Sequence, residues 1–378
     1  MKTLAPRRLA LALLPLAALA PSAFAWDAYG HRLVTQAAMA EFDKAVHPPA
    51  WLGADNVAFQ IADQATVPDR WRSIKVPQLV HVNSPDHFIN IEPLEKYGLT
   101  LKTLPPLRYD YVRQVYTFRL SPGFEDPDKN PAYADPAKSR EIPGFLPYAI
   151  VESHAKAIAA LRVVRILEEL NDPSRKEQLE MARAQALSAM GILSHYVGDA
   201  AQPLHTTMNY NGWVQENPNG YTTSRQFHSF IDGGVLKLHS ITASDVLAQT
   251  PAPYTINVNN PWNDAIQHIE RSFESVEPLY ALEKSGDLGK APGKEFIAKR
   301  LGDGAAMLAA LYIAEYNAAK PTPKDLEEFK RFDNFDLTLR LQPPTAAIEA
   351  PMSKDDAPVA PSSTDIPAAT PPASPTGT

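Results

Sequence analysis

The chain has 378 residues, 44% of them hydrophobic, no cysteine and a formal net charge of −7. Without cysteine neither a disulfide nor a thiolate ligand is available, so any metal must be held by His, Asp or Glu. The acidic balance excludes non-specific electrostatic capture of nucleic acid or anionic lipid, so a phosphate-binding function would need local positive charge, for which metal ions are the obvious source.

Lys2, Arg7 and Arg8 make a basic start. An apolar run from Leu9 to Leu19 comes next, interrupted by Pro15, and Ala23-Phe24-Ala25 supplies the small residues of a cleavage site. This is the pattern of a secretory signal. Cleavage after Ala25 is expected, with Trp26 as the new amino terminus of an exported protein, periplasmic or extracellular. The alternative of an uncleaved anchor is disfavoured because the apolar run is too short to span a bilayer comfortably. No later segment is apolar enough to span.

Beyond Trp26, helical periodicity dominates. Residues 31–46 place Leu33, Val34, Ala37, Ala38 and Phe42 on one helix face. A long section from Ile91 to Phe145, with Leu104-Pro105-Pro106 and Ser121-Pro122-Gly123, reads as irregular. Tyr148 to Leu170 reads as a long helix, stopped near Asn171-Asp172-Pro173, and a second runs from about Ser174 to Asp199, closed by Pro203. Residues 261–283 and 295–319 read as two more helices. From Pro343 to Thr378 the chain is rich in Pro, Ala, Ser and Thr. That composition buries too little apolar surface to offset chain entropy, so a disordered tail is expected. The expectation is a mainly α fold: one compact multi-helix domain over residues 26–342, monomeric and without a stable protein partner.

Ten histidines are present, and five sit in suggestive company. His195 and Asp199 are four apart on a predicted helix, so both project from one face. His228 and Asp232 repeat the spacing. His205 lies just past the Pro203 break, which can turn it back toward the helix end. His31 falls five residues after Trp26, and His87 sits in Asp86-His87-Phe88-Ile89-Asn90. Imidazole and carboxylate on one face suit a borderline cation such as zinc. A surface ion pair is the bland reading of either His/Asp pair taken alone. His47, His154, His239 and His268 fall outside these patterns and read as ordinary surface or core residues.

Three segments carry a resemblance: Trp26-Asp27-Ala28-Tyr29-Gly30-His31, then Ser194-His195-Tyr196-Val197-Gly198-Asp199-Ala200-Ala201-Gln202-Pro203-Leu204-His205, then His228-Ser229-Phe230-Ile231-Asp232. Together they resemble the fungal single-strand-specific zinc nucleases (type I nucleases), relatives of the bacterial zinc-dependent phospholipases C. The resemblance implies a mostly helical fold of that kind with three zinc ions in a cleft. It implies that Trp26 binds one zinc through its free amine and carbonyl beside His31. A second zinc would be held by Asp69, His87 and His195, with Asp199 bridging the two, and the third by His205, His228 and Asp232. Asp69 is taken as the upstream aspartate because the family has an arginine three positions on, here Arg72; Asp63 has Thr66 at that offset. Arg72 inherits the role of steadying phosphoryl oxygens, although a surface salt bridge is its plainer reading.

His81 competes with His87, but only His87 is followed by the aromatic the family uses as a base platform. Phe88 would then stack on a nucleobase with Asn90 near the base edge, where the nucleases carry an acidic residue; plain core is an equal reading of Phe88. The stretch between His87 and His195 is longer than in the fungal enzymes, and their disulfides are absent. The implied activity is zinc-dependent hydrolysis of single-stranded DNA or RNA, with 3′-nucleotides as further substrates, giving 5′-phosphates. Phospholipase C activity, favoured slightly by Phe227-His228-Ser229, and a non-catalytic exported zinc-binding protein are the alternatives.

Overall fold

Asp27 sets the start of the first helix, α1 (Ala28–Val46). Its Oδ1 accepts from the backbone N–H groups of Tyr29 and Gly30 at 3.0 and 3.2 Å, donors that have no partner inside a helix. His47 closes α1 in the left-handed region and donates to the Asp43 carbonyl. The computed structural model describes residues 26–125 and 135–332. The expected leader (1–25) and tail (343–378) lie outside the described residues. The chain separates into a unit ending at Leu326 and another starting at Glu327, and the elements of the candidate site belong to the first.

Among the described residues there is no strand, and pairing is confined to isolated bridges between Ile89 and Gly144 and between Tyr210 and Gly212. Helix α2 (Asp55–Gln64) and α3 (Val67–Ser73) follow α1 closely. Further on come α4 (Arg108–Arg119), α5 (Leu146–Leu170), α6 (Lys176–Ala201), α7 (Trp262–Phe273), α8 (Val276–Ser285) and α9 (Ala291–Ala318). The mainly α expectation is met. No described helix is long and apolar enough to cross a membrane.

Two elements differ from the sequence reading. The section from Ile91 to Phe145 contains α4, which buries only Tyr111 and Val115, so its apolar stripe is too narrow to stand out among the flanking prolines. The helix expected over 261–283 is two helices. At the break, Ser275 Oγ donates back to the Arg271 carbonyl at 2.9 Å, and Arg300 reaches both the same carbonyl and Ser275 Oγ. A serine that offers the backbone a rival partner ends a helix that hydrophobic spacing would continue.

Helices α5 and α6 form a hairpin. Asn171 takes the left-handed conformation with φ 46°, its N–H donating to the Leu167 carbonyl, and Asp172 accepts from Ser174 N–H at 2.9 Å. Asn tolerates this backbone region better than most residues. Helix α6 also packs on α2 and α9, and α1 packs on α9. The middle of α9, from Arg300 to Tyr312, is buried on every side. Phe42 of α1 meets Tyr312 and Tyr316 edge-on, with centroids 6.2 and 5.8 Å away. The last two turns of α6, Ser194–Ala201, are likewise wholly buried. That buried helix end is the platform on which the histidines and aspartates converge.

Candidate metal centre

Helix α6 presents His195 and Asp199 from the same face, with His195 Nε2 3.3 Å from Asp199 Oδ2. Close backbone approach lets α2 reach this face. A Cβ on Gly191 would lie 2.7 Å from the Ile61 carbonyl oxygen, so only glycine lets α6 sit this near α2. As a result the Ala65 carbonyl, capping α2, accepts from His195 Nδ1 at 2.7 Å. A carbonyl only accepts, so the proton of neutral His195 is on Nδ1 and Nε2 is left bare for a metal.

His31 arrives from α1 and stacks on His195, ring centroids 4.0 Å apart. Gly198 makes room, since a Cβ there would lie 2.8 Å from His31 Nδ1. His31 Nε2 lies 3.4 Å from Asp199 Oδ1. His87 enters from the short helical turn Ser84–His87. Its Nδ1 is 3.0 Å from Asp199 Oδ2 and 2.9 Å from His195 Nε2. Asp69 of α3 lies 3.9 Å from His87 Nδ1 through Oδ1, and Arg72 grips that same oxygen from Nε and Nη2 at 2.8 and 2.7 Å.

A third cluster adjoins these. Pro203 stops α6 and a tight turn, Pro203–His205, brings His205 back toward it. His205 Nδ1 donates to the His87 carbonyl at 2.5 Å, and its Nε2 faces His228 Nε2 at 3.1 Å. His228 Nε2 is also 3.1 Å from Asp232 Oδ2. His228 and Asp232 lie where a short α-turn widens into the π-turn Phe230–Gly234, which keeps a spacing of four on one side.

Three buried donor groups result: His31, His195 and Asp199; Asp69, His87 and His195; and His205, His228 and Asp232. Donor atoms 2.0–2.1 Å from a tetrahedral zinc lie roughly 3.3 Å from one another. The closest donor pairs within the groups are 2.9 to 3.4 Å apart. Several of these side chains also carry polar atoms without other occupation. Both ring nitrogens of His31, His87 Nε2, Asp199 Oδ1 and Asp232 Oδ2 are buried without a hydrogen-bond partner. Each such atom costs about 1–3 kcal/mol, and more when charged. Bare imidazole nitrogens facing each other are a poor arrangement for protons and a good one for a divalent cation. The residues therefore fit metal ions, and nitrogen and oxygen donors without sulfur suit zinc.

The electrostatics favour the metal-binding form at His31, His87, His205, Asp69 and Asp199 and oppose it at His195 and Asp232. Burial lowers His31 and His87 from 6.5 to about 3 and lowers His205 as well, holding all three neutral, the form that binds metal. Burial would raise Asp199, but His195, itself raised by Asp199 and Asp69 against burial, outweighs it and holds the carboxyl well below its ordinary range. Burial likewise opposes ionisation of Asp69, and Arg72 outweighs it, leaving the pKa lowered. Asp232 is pushed well above its ordinary value by burial.

The other predicted residues border these donors. Trp26 is fully buried, but its role as an amine ligand depends on cleavage among residues outside the described ones. Phe88 is half-buried and Asn90 buried. The backbone between them is clamped, Ile89 N–H donating to the His205 carbonyl at 2.9 Å and Asn90 N–H to the Pro143 carbonyl at 2.6 Å. The rivals fall elsewhere: His81 is exposed and bonded to the Ala137 carbonyl, and Asp63 pairs with Arg32 and Arg70.

Sequence reasoning gave no role to Gln202, whose Nε2 donates to Asp232 Oδ1 at 2.8 Å while its Oε1 accepts from Leu204 N–H. It also missed the Ala65 and His87 carbonyls that set the two tautomers. Of these, only Gln202 had a legible signal, its position between Asp199 and His205. No known protein family, curated protein or solved structure matches the chain.

Proposed function

We infer that the chain is a zinc-dependent phosphoesterase that cleaves single-stranded nucleic acid to 5′-phosphate products, and 3′-nucleotides to nucleosides and phosphate. The carrying observation is the adjacency of three donor groups, two of which share His195, with an arginine locked on a donor carboxylate at their edge. His31 and Asp199, with Trp26 once its amine is freed, would hold one ion. Asp69, His87, His195 and Asp199 would hold the second, and His205, His228 and Asp232 the third. When bound, such ions lower the pKa of water and neutralise charge on phosphoryl oxygens.

The protein's own groups divide the remaining work. Asp69, kept ionised beside Arg72, orients the attacking water and takes its proton. Arg72, largely buried but not sealed at 17% side-chain exposure, offers a fixed planar charge to the equatorial oxygens during in-line displacement. Phe88 stacks on a nucleobase, which requires an unpaired strand, and Asn90 lies at the base edge.

The test is a substrate panel of single-stranded DNA, RNA, 3′-nucleotides and phosphatidylcholine, run with and without a chelator. Hydrolysis of the nucleic acids, abolished by the chelator and restored by zinc, is expected. Turnover of phosphatidylcholine in place of nucleic acid, zinc content without any turnover, or indifference to the chelator would overturn the reading.

A further inference from the structure

His87 serves the centre with its backbone as well as its ring. The ring belongs to the second donor group, and the carbonyl accepts from His205 Nδ1 in the third. The turn Ser84–His87 therefore supports two groups at once. It is tied on either side of His87 to the start of α5. Phe145 N–H donates to the Pro85 carbonyl at 2.7 Å, and Leu146 N–H to the Phe88 carbonyl at 3.1 Å.

A side chain from the section between Ile91 and Phe145 adds a further tie. Arg108, the first residue of α4, donates from Nη1 to Asp86 Oδ1 at 2.6 Å. Its Nε and Nη2 donate to Glu152 Oε1 and Oε2 of α5, each at 2.8 Å. The guanidinium carbon lies 4.5 Å from the centre of the Phe145 ring. The fork thus joins the neighbour of His87 to α5 and packs on the residue whose N–H holds Pro85. An exposed ion pair would contribute little. This one is bidentate toward Glu152 and stacked on an aromatic ring, and only 21% of the Arg108 side chain and 17% of the Asp86 side chain meet solvent. Without the guanidinium, Asp86 and Glu152 would be left as neighbouring like charges.

We propose that Arg108 is a positioning residue of the metal centre. It holds the His87 turn where the ring meets Asp199 and His195 and the carbonyl meets His205. The proposal rests on reading the donor groups as metal sites and on no particular substrate. It gives the section between Ile91 and Phe145 a place in the scaffold of the centre, through the head of α4. Loss of Arg108 should weaken the second and third ions together and spare the one at His31 and Asp199, whereas a general loosening of the fold would weaken all of them.

The experiment compares wild type with Arg108→Met, Arg108→Lys and Glu152→Gln. Arg113→Met is the control, because Arg113 is exposed and pairs with Asp110 on the same helix. Each protein is loaded with zinc and titrated with a chelator, and the zinc left per chain is read at each step. Arg108→Met should give up two of the ions at about tenfold lower chelator and hold the remaining one as wild type does. Arg108→Lys keeps the charge and loses the fork, so it should recover part of that loss. Glu152→Gln leaves the bond to Asp86 and should lose less than Arg108→Met. Hydrogen exchange of the metal-free proteins is followed in parallel. The amides of Ile89 and Asn90 should exchange several-fold faster in Arg108→Met, with those of α6 protected as in wild type. If Arg108→Met does not fold, Arg108→Lys carries the same comparison. Equal weakening of every ion, faster exchange in α6 as well, wild-type behaviour of Arg108→Met, or an equal loss in Arg113→Met would each overturn the proposal. A wild type that binds no zinc would overturn the metal reading instead. Faster exchange confined to residues 84–92 in Arg108→Met would then still show that Arg108 fixes the turn.

Discussion

His195 shows how much a single side chain is asked to do. Its Nδ1 is committed to the Ala65 carbonyl and its Nε2 lies within reach of His87 and Asp199. The carbonyl chooses the tautomer, and the tautomer decides which atom can bind metal. Gln202 plays the same part for Asp232, holding Oδ1 so that Oδ2 turns toward His228. Replacing such an outer partner typically costs 10–100-fold in metal affinity. Gln202→Ala should therefore weaken one of the three metals by about 10–100-fold in competition with a chelator, with the helical circular dichroism unchanged. An equal loss of all three metals would instead indicate a general collapse of the site. The imidazole and carboxylate donors were legible because a spacing of four on a helix, or a histidine after a proline break, leaves a mark in the sequence. The carbonyls of Ala65 and His87 left none, since every residue has one. Gly198 was silent for the opposite reason: what it contributes is the absence of an atom beside His31.

At the scale of elements, α6 is the fixed reference. It packs on α2, α5 and α9, and its buried end carries His195 and Asp199. The contact at Gly191 governs how near α2 comes. Gly191→Val should cost about 1–3 kcal/mol by overpacking, read from the denaturant midpoint. It should also loosen zinc, because a displaced α2 withdraws the Ala65 carbonyl from His195. Loss of stability with unchanged zinc affinity would separate the two effects and remove the Ala65 bond from the site. The long helices could be read from sequence to within a few residues because their apolar positions recur over many turns. The break between α7 and α8 could not, because it is made by Ser275 and by Arg300, a residue from another helix. Helix α4 escaped notice because two buried residues in twelve give almost no periodic signal.

For the whole molecule, pH should act through a buried pair outside the three donor groups. His154 of α5 and Glu315 of α9 meet in the core at 2.8 Å, and Glu315 Oε2 has no hydrogen-bond partner. Burial raises Glu315 from its ordinary 4.5 to about 7. The folded protein then holds a proton that the unfolded chain has released across that window. Stability contributed by this group is present below the lower value and is lost as pH rises through the upper one. Glu315→Gln keeps an acceptor for His154 and removes the titration. The metal-free variant should therefore lose less melting temperature than wild type between about pH 5 and about pH 8. A parallel pair of melting curves would exclude Glu315 as the source.

The donors also lie far apart along the chain. His87 is 108 residues from His195 and 112 from Asp199, and Asp27 at the head of α1 donates its N–H to the carbonyl of Asp232. A zinc finger closes its loop locally, and the ion can direct its folding. Here the two groups that share His195 draw their ligands from three helices and a distant turn, so long loops must close before an ion gains three donors there, whereas His205, His228 and Asp232 lie close together in the chain. Metal capture at those two groups would thus be a late event, reserved for a chain whose helices have already docked. An emerging polypeptide would have little means of filling them before that, so charging of this part of the centre would belong to whichever compartment the finished fold occupies.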